Sequence, residues 1–89
     1  MHRLIPREEK ISPLQFWILL VLSERPNYGY RIIQHLREVF RGYWEPKAGM
    51  IYPALKKMSK RLLVSSRLEH RDDAPDRRYY SITGKGKKS

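Results

Sequence analysis

Hydrophobic positions recur along this chain in two different periods. Leu14, Trp17, Ile18, Val21 and Leu22 fall at helical spacing, and Phe16, Leu19 and Leu20 make the other faces of the same segment apolar. Ser12-Pro13 ahead of them reads as an N-cap followed by proline at the first helical position, where a missing N–H costs nothing. A first helix is predicted there, and it must be covered on more than one side. Arg25-Pro26-Asn27 breaks the pattern. Tyr28-Gly29-Tyr30 then leads into a second helix, with Ile32, Ile33, Leu36 and Phe40 on one stripe and Gly42 at its end. Its opposite face carries Arg31, His35, Arg37, Glu38 and Arg41. In the third helix, Pro53 breaks no hydrogen bond only near the first turn, which places the start near Gly49 or Met50. Ile51, Leu55, Met58 and Leu62 make its buried stripe. Gly49, Pro53, Lys56, Lys57 and Lys60 fall on or beside the opposite face, with Tyr52 at the flank.

After Arg61 the period changes to two. Val64, Ser66 and Leu68 alternate with Ser65, Arg67 and Glu69, and Arg78, Tyr80 and Ile82 alternate with Arg77, Tyr79 and Ser81. Arg71-Asp72-Asp73-Ala74-Pro75-Asp76 supplies turn chemistry between them, so the two runs read as an antiparallel hairpin with Tyr80 in the core. The predicted organisation is an N-terminal arm over 1–11, a folded domain over 12–83 and a flexible basic tail over 84–89. Three helices followed by a two-stranded hairpin is the order of a winged helix-turn-helix, an α+β fold that is mainly α, with the hairpin as the wing. Its third helix is the one offered to the major groove.

Charge sharpens this picture. Nineteen Lys and Arg against nine Asp and Glu give 89 residues a formal charge of +10, which selects a polyanion as partner without choosing among nucleic acid, membrane surface and acidic protein. Between Pro46 and Arg71, however, Lys47, Lys56, Lys57, Lys60, Arg61, Arg67 and Arg71 face Glu69 alone, so the excess sits where a winged helix meets DNA. The basic residues are spread over helix and hairpin and do not line one amphipathic helix, so membrane-surface binding is the weakest reading. The longest apolar run, Phe16 to Leu22, falls short of the roughly 20 residues of a membrane span. It is read as core. The chain has no cysteine, which excludes disulfides and thiolate metal sites and fits a cytoplasmic protein.

Three motifs carry a family resemblance. Tyr28-Gly29-Tyr30-x-Ile32-Ile33, Gly49-x-Ile51-Tyr52-Pro53-x-Leu55 and Arg77-Arg78-Tyr79-Tyr80-x-Ile82-Thr83, in this order and at these separations, closely resemble the PadR family of winged-helix transcriptional regulators over about Leu14 to Thr83. The resemblance implies a repressor that binds a pseudo-palindromic double-stranded DNA operator as a homodimer. It implies that Gly49, Met50, Tyr52 and Pro53 lie against DNA, with Lys56 and Lys57 beside them and Arg71, Arg77 and Arg78 in the wing. Family members commonly have a serine or threonine beside the glycine matched by Gly49. Here the neighbours are Ala48 and Met50, so a phosphate contact of that kind falls to the backbone or to Lys47. The family usually continues past the motif at Ile82-Thr83 into a long dimerising helix, whereas this sequence stops at Ser89.

The residues allow assignments of their own. Lys56 and Lys57 are placed to pair with guanine edges or phosphates, and Lys60 lies near the helix end. Tyr52 suits either half-buried packing or a phosphate contact. Arg71 or Arg77 suits a narrow minor groove, and Arg78 an acidic turn residue. Trp17 is read as core, whereas Trp44, in a loop, is a candidate for stacking on a small aromatic effector. Phe16, Leu19, Leu20 and the arm from Met1 to Lys10 are the candidate dimer surface. An enzyme is not expected, and neither a cofactor nor a metal: His2, His35 and His70 are isolated, Asp72, Asp73 and Asp76 read as turn residues, and Gly84-Lys85-Gly86-Lys87 is not followed by a helix. Two alternatives stay open, a winged-helix protein-interaction or effector-sensing module without an operator, and a non-specific nucleic-acid binder.

Overall fold

At the start of the first helix, Ser12 Oγ accepts from the Gln15 backbone N–H at 3.1 Å while Gln15 Oε1 accepts from the Ser12 N–H at 3.3 Å. This reciprocal cap, with Pro13 at the first helical position, sets where the helix begins. The computed structural model describes residues 11–88, so the arm predicted for Met1 to Lys10 lies outside the described residues. The elements in order are α1 (Pro13–Glu24), β1 (Asn27–Tyr28), α2 (Gly29–Val39), α3 (Ala48–Lys60), β2 (Val64–Arg71), β3 (Ala74–Ile82) and α4 (Gly84–Lys88). The winged helix-turn-helix expected from the sequence is present.

One core joins the three long helices to the hairpin. Ile18, Leu19 and Leu22 of α1 meet Ile32, Ile33 and Leu36 of α2, Ile51, Ala54, Leu55 and Met58 of α3, and Leu63, Val64 and Tyr80 at the root of the hairpin. Leu19, assigned to the candidate dimer surface, is a core residue at 5% exposure. Ile11, assigned to the arm, packs against the same cluster. The coverage that α1 needs on its other side is partial: Trp17 lies edge-on to Phe40 at 4.9 Å, Phe40 edge-on to Trp44 at 5.1 Å, and Phe16 and Leu20 stay exposed.

Three further expectations change at element ends. α2 stops at Val39, ahead of Gly42, which takes a left-handed φ of 80° in the turn that follows. α3 starts at Ala48, slightly before the predicted position, so Pro53 sits inside the helix and supplies no N–H to the Gly49 carbonyl. Its end is a Schellman turn, with the Leu63 N–H donating to the Met58 carbonyl at 2.9 Å and the Leu62 N–H to the Ser59 carbonyl at 3.1 Å. The residue between cap and strand must then be left-handed. Leu62 holds φ 63° and is 66% exposed, so it leaves the predicted buried stripe and Leu63 takes its place.

The hairpin belongs to a three-stranded antiparallel sheet, order β1-β3-β2, because Asn27 and Tyr28 pair with Tyr80 and Tyr79. A bulge between Glu69 and Arg71 shifts the register, so that Glu69 faces Arg77 and Arg67 faces Tyr79. Beyond Val64 the outer part of β2 leaves the core, and Leu68 is exposed on the wing. The segment predicted as a flexible tail is helical through Lys88. Thr83 caps it, its Oγ1 accepting from the Gly86 N–H at 3.0 Å and its carbonyl from the Lys87 N–H at 3.0 Å. Gly86 is buried against the Leu63 carbonyl, leaving no room for a Cβ.

Candidate nucleic-acid interface

The core-facing residues of α3 leave the other side of the helix to solvent. Gly49, Pro53, Lys56 and Lys60 lie within an arc of about 60° at the helical advance of about 100° per residue, with Tyr52 and Lys57 flanking it. All six are exposed, as are Lys47 at the N-cap and Met50. Among the described residues, none of Lys47, Lys56, Lys57 and Lys60 carries a hydrogen bond or an ion pair with another side chain. No described side chain pairs with their charge.

Tyr52 links this helix to the rest. Its ring lies over Gly29, where a Cβ would collide with the ring edge, so the absent side chain at the start of α2 is what lets Tyr52 lie flat. On one side of Tyr52 an open groove of about 330 Å³ is lined by Tyr30, Arg71, Arg77 and Arg78. On the other, a groove of similar size is lined by Lys56, Ser59, Ser66 and Arg78. Tyr52 and Arg78 border both, so α3 and the base of the wing form one continuous, mainly cationic surface, with Asp76 the acidic member of its lining.

The wing arginines are held. Arg77 Nε donates to Glu69 Oε1 at 3.2 Å, its Nη1 reaches the Tyr30 hydroxyl at 3.4 Å, and its guanidinium lies over the Tyr28 ring at 4.0 Å. The Tyr28 hydroxyl donates to the same Glu69 oxygen at 3.0 Å, and Arg67 approaches the other carboxylate oxygen at 3.6 Å. Hydrogen bonds from Arg77 and Tyr28 hold the Glu69 carboxyl below its ordinary 4.5. Desolvation, reinforced by the bond to Glu69, pushes the Tyr28 hydroxyl up from 10.0.

The other two wing arginines are held within the hairpin, and for Arg78 the partner differs from the expected one. Arg71 folds back onto the wing turn, its Nε and Nη2 donating to the Pro75 carbonyl at 3.2 and 3.0 Å. Arg78, opposite Leu68, donates to Ser66 Oγ at 3.1 Å and meets no acidic turn residue. The acids of the turn serve His70 instead, whose Nδ1 lies 2.9 Å from Asp76 Oδ1 and whose Nε2 lies 3.6 Å from Asp72 Oδ1. Trp44 is half-buried and lies edge-on to Phe40, extending an aromatic packing series from α1.

Glu69, Tyr28 and Tyr30 are the site residues that sequence reasoning did not single out. Opposite charge at Glu69 and Arg77 was a signal, but it needs the bulged register. Uninterrupted pairing from Arg71 opposite Ala74 would set Glu69 against Asp76.

Among the described residues no group of three or more His, Asp or Glu is placed to hold a metal, and no helix is long and apolar enough to cross a membrane. Residues 18–89 match the model of the transcriptional regulator PadR-like family. Over 74 residues the chain is 28% identical to the negative transcriptional regulator PadR of Bacillus subtilis (strain 168), covering 83% of this chain and 41% of that protein. The crystal structure of Bacillus subtilis PadR in complex with operator DNA superposes with a TM-score of 0.79 at 26% identity, covering 89% of this chain and 45% of the other. A PadR family transcription regulator from Clostridium difficile superposes with a TM-score of 0.74 at 31% identity, covering 86% and 78%. The sequence thus spans less than half the length of the Bacillus subtilis protein.

Proposed function

The chain belongs to the PadR-like family of transcriptional regulators, and from that premise we propose that it is a sequence-specific double-stranded DNA-binding repressor acting as a homodimer on a pseudo-palindromic operator. The observation that carries this reading is the continuity of the unpaired lysine face of α3 with Tyr52, Arg77 and Arg78 at the base of the wing. α3 enters the major groove, where Lys56 and Lys57 reach guanine edges or phosphates and Gly49 lets the backbone come close. Lys47, Met50, Tyr52, Pro53 and Lys60 border the same contact, and the wing arginines grip the flanking backbone. That the related Bacillus subtilis protein was crystallised with operator DNA supports the assignment. In a dimer, two copies of α3 about 34 Å apart would read successive major grooves, and Phe16 and Leu20, exposed on α1, are available for pairing.

The experiment is an anisotropy titration of a labelled duplex from upstream of the protein's own gene against a shuffled duplex, at two salt concentrations. The proposal expects a preference of roughly 10³-fold or more that survives the higher salt. Equal, steeply salt-dependent affinities would reduce the activity to phosphate binding, and no binding of either duplex would favour a protein-interaction module.

A further inference from the structure

We infer that Glu69 is a positioning residue for DNA binding: by holding Arg77 between the Tyr28 ring and the Tyr30 hydroxyl, it aims that guanidinium into the groove between α3 and the wing. The inference rests on the reading of this surface as a DNA-binding face. Glu69 is the only acidic residue between Pro46 and Arg71, and charge alone makes it a liability there, since a carboxylate repels the phosphates that its neighbours attract. Geometry gives it the opposite role. Arginine is long and rotamer-rich, and ordering it on DNA is costly unless the order already exists. Here Nε is bound to Glu69, Nη1 is within reach of Tyr30, one face is covered by Tyr28, and Nη2 carries no hydrogen bond among the described residues. The donor left over belongs to an arginine that is already placed. Glu69 also takes the Tyr28 hydroxyl at 3.0 Å, which ties the wing to the strand that opens α2. The carboxylate thereby adds a side-chain tie to the backbone pairing that already joins β1 to β3.

The two accounts differ in sign. If Glu69 acts only as a charge, Glu69→Ala and Glu69→Gln both tighten DNA binding and steepen its salt dependence. If it positions Arg77, Glu69→Ala weakens binding by about tenfold, the scale of one charge-assisted hydrogen bond, and flattens the salt slope by about 0.9 for a lost phosphate contact. The test titrates a fluorescein-labelled, mixed-sequence duplex of about 30 base pairs, roughly three helical turns, at two salt concentrations. It uses the wild-type chain, Glu69→Ala, Arg77→Ala and the double variant. Positioning through Arg77 requires that Glu69→Ala cost nothing further once Arg77 is alanine. A Glu69→Ala chain that binds as tightly as wild type, or a double variant weaker than Arg77→Ala by the full single-variant factor, overturns the inference. If Glu69→Ala does not fold by circular dichroism, Glu69→Gln carries the test: weaker binding than wild type supports positioning, equal or tighter binding overturns it. A wild-type chain that fails to bind the duplex removes the DNA-binding reading itself, a result distinct from either outcome for Glu69.

Discussion

The lysines of α3 and the arginines of the wing carry the same charge in opposite mechanical states. Lys56, Lys57 and Lys60 extend from a helix anchored by Ile51, Leu55 and Met58, yet among the described residues their ammonium groups form no hydrogen bond or ion pair. Arg71, Arg77 and Arg78 sit on a hairpin whose outer part leaves the core, yet each guanidinium is tied to a neighbour. A helix seated on the core with unpaired heads faces a projecting hairpin with fixed heads. A compact ammonium on a flexible stem can adapt to whichever base edge or phosphate lies in the groove, whereas a planar guanidinium held in place offers one geometry. The lysines are thus suited to contacts that vary with sequence, and the arginines to a fixed contact with the backbone.

The largest effect expected from this contrast is at α3. Replacing Lys56 and Lys57 together with alanine should weaken operator binding by roughly 2 kcal/mol or more and lower the salt slope, while thermal stability stays within about 0.5 kcal/mol. Titration and melting of the same chain check both halves. Next is the hinge between the two regions. Gly29→Ala pushes the Tyr52 ring off α2. It should cost about 1 kcal/mol in DNA affinity with the melting transition retained, because the colliding atoms belong to a side chain at the surface that can swing away.

A smaller change is expected where α3 passes into the wing. Leu62 is held left-handed at φ 63°, so Leu62→Gly should raise stability by about 0.4–1 kcal/mol in urea unfolding and leave affinity unaltered. The smallest expected effect is in pH dependence. Glu69 has a folded-state pKa lowered from 4.5 by Arg77 and Tyr28. Its contribution is therefore present above pH 4.5 and lost as pH falls through the lower folded value. Unfolding curves of wild type and Glu69→Gln should differ above pH 4.5 and converge below it.

The helices were legible in the sequence because a buried stripe and a cap are local signals: Ser12-Pro13, the run from Ile32 to Leu36, and Ile51, Leu55 and Met58 all stand where their spacing predicts. The end of α3 was not, because the Schellman turn puts a leucine in the left-handed region where glycine is the usual marker. The tail was misread for a related reason. Two glycines and three lysines between Thr83 and Ser89 look flexible, but Thr83 caps them into a helix and Gly86 fits because it has no side chain. The α3 face could be listed residue by residue, since one helix determines it. The arginine clamp could not, since it depends on a bulge that shifts cross-strand partners by one and on a two-residue strand too short to carry a periodic signal.

The most direct test of the shared surface is a backbone-amide NMR titration of the chain with duplex DNA. The account predicts shifts concentrated in residues 47–60 and at Tyr28, Tyr30, Glu69, Arg77 and Arg78, with the exposed face of α1 at Phe16 and Leu20 unmoved. Shifts confined to α1, or to α3 with the base of the wing silent, would contradict it.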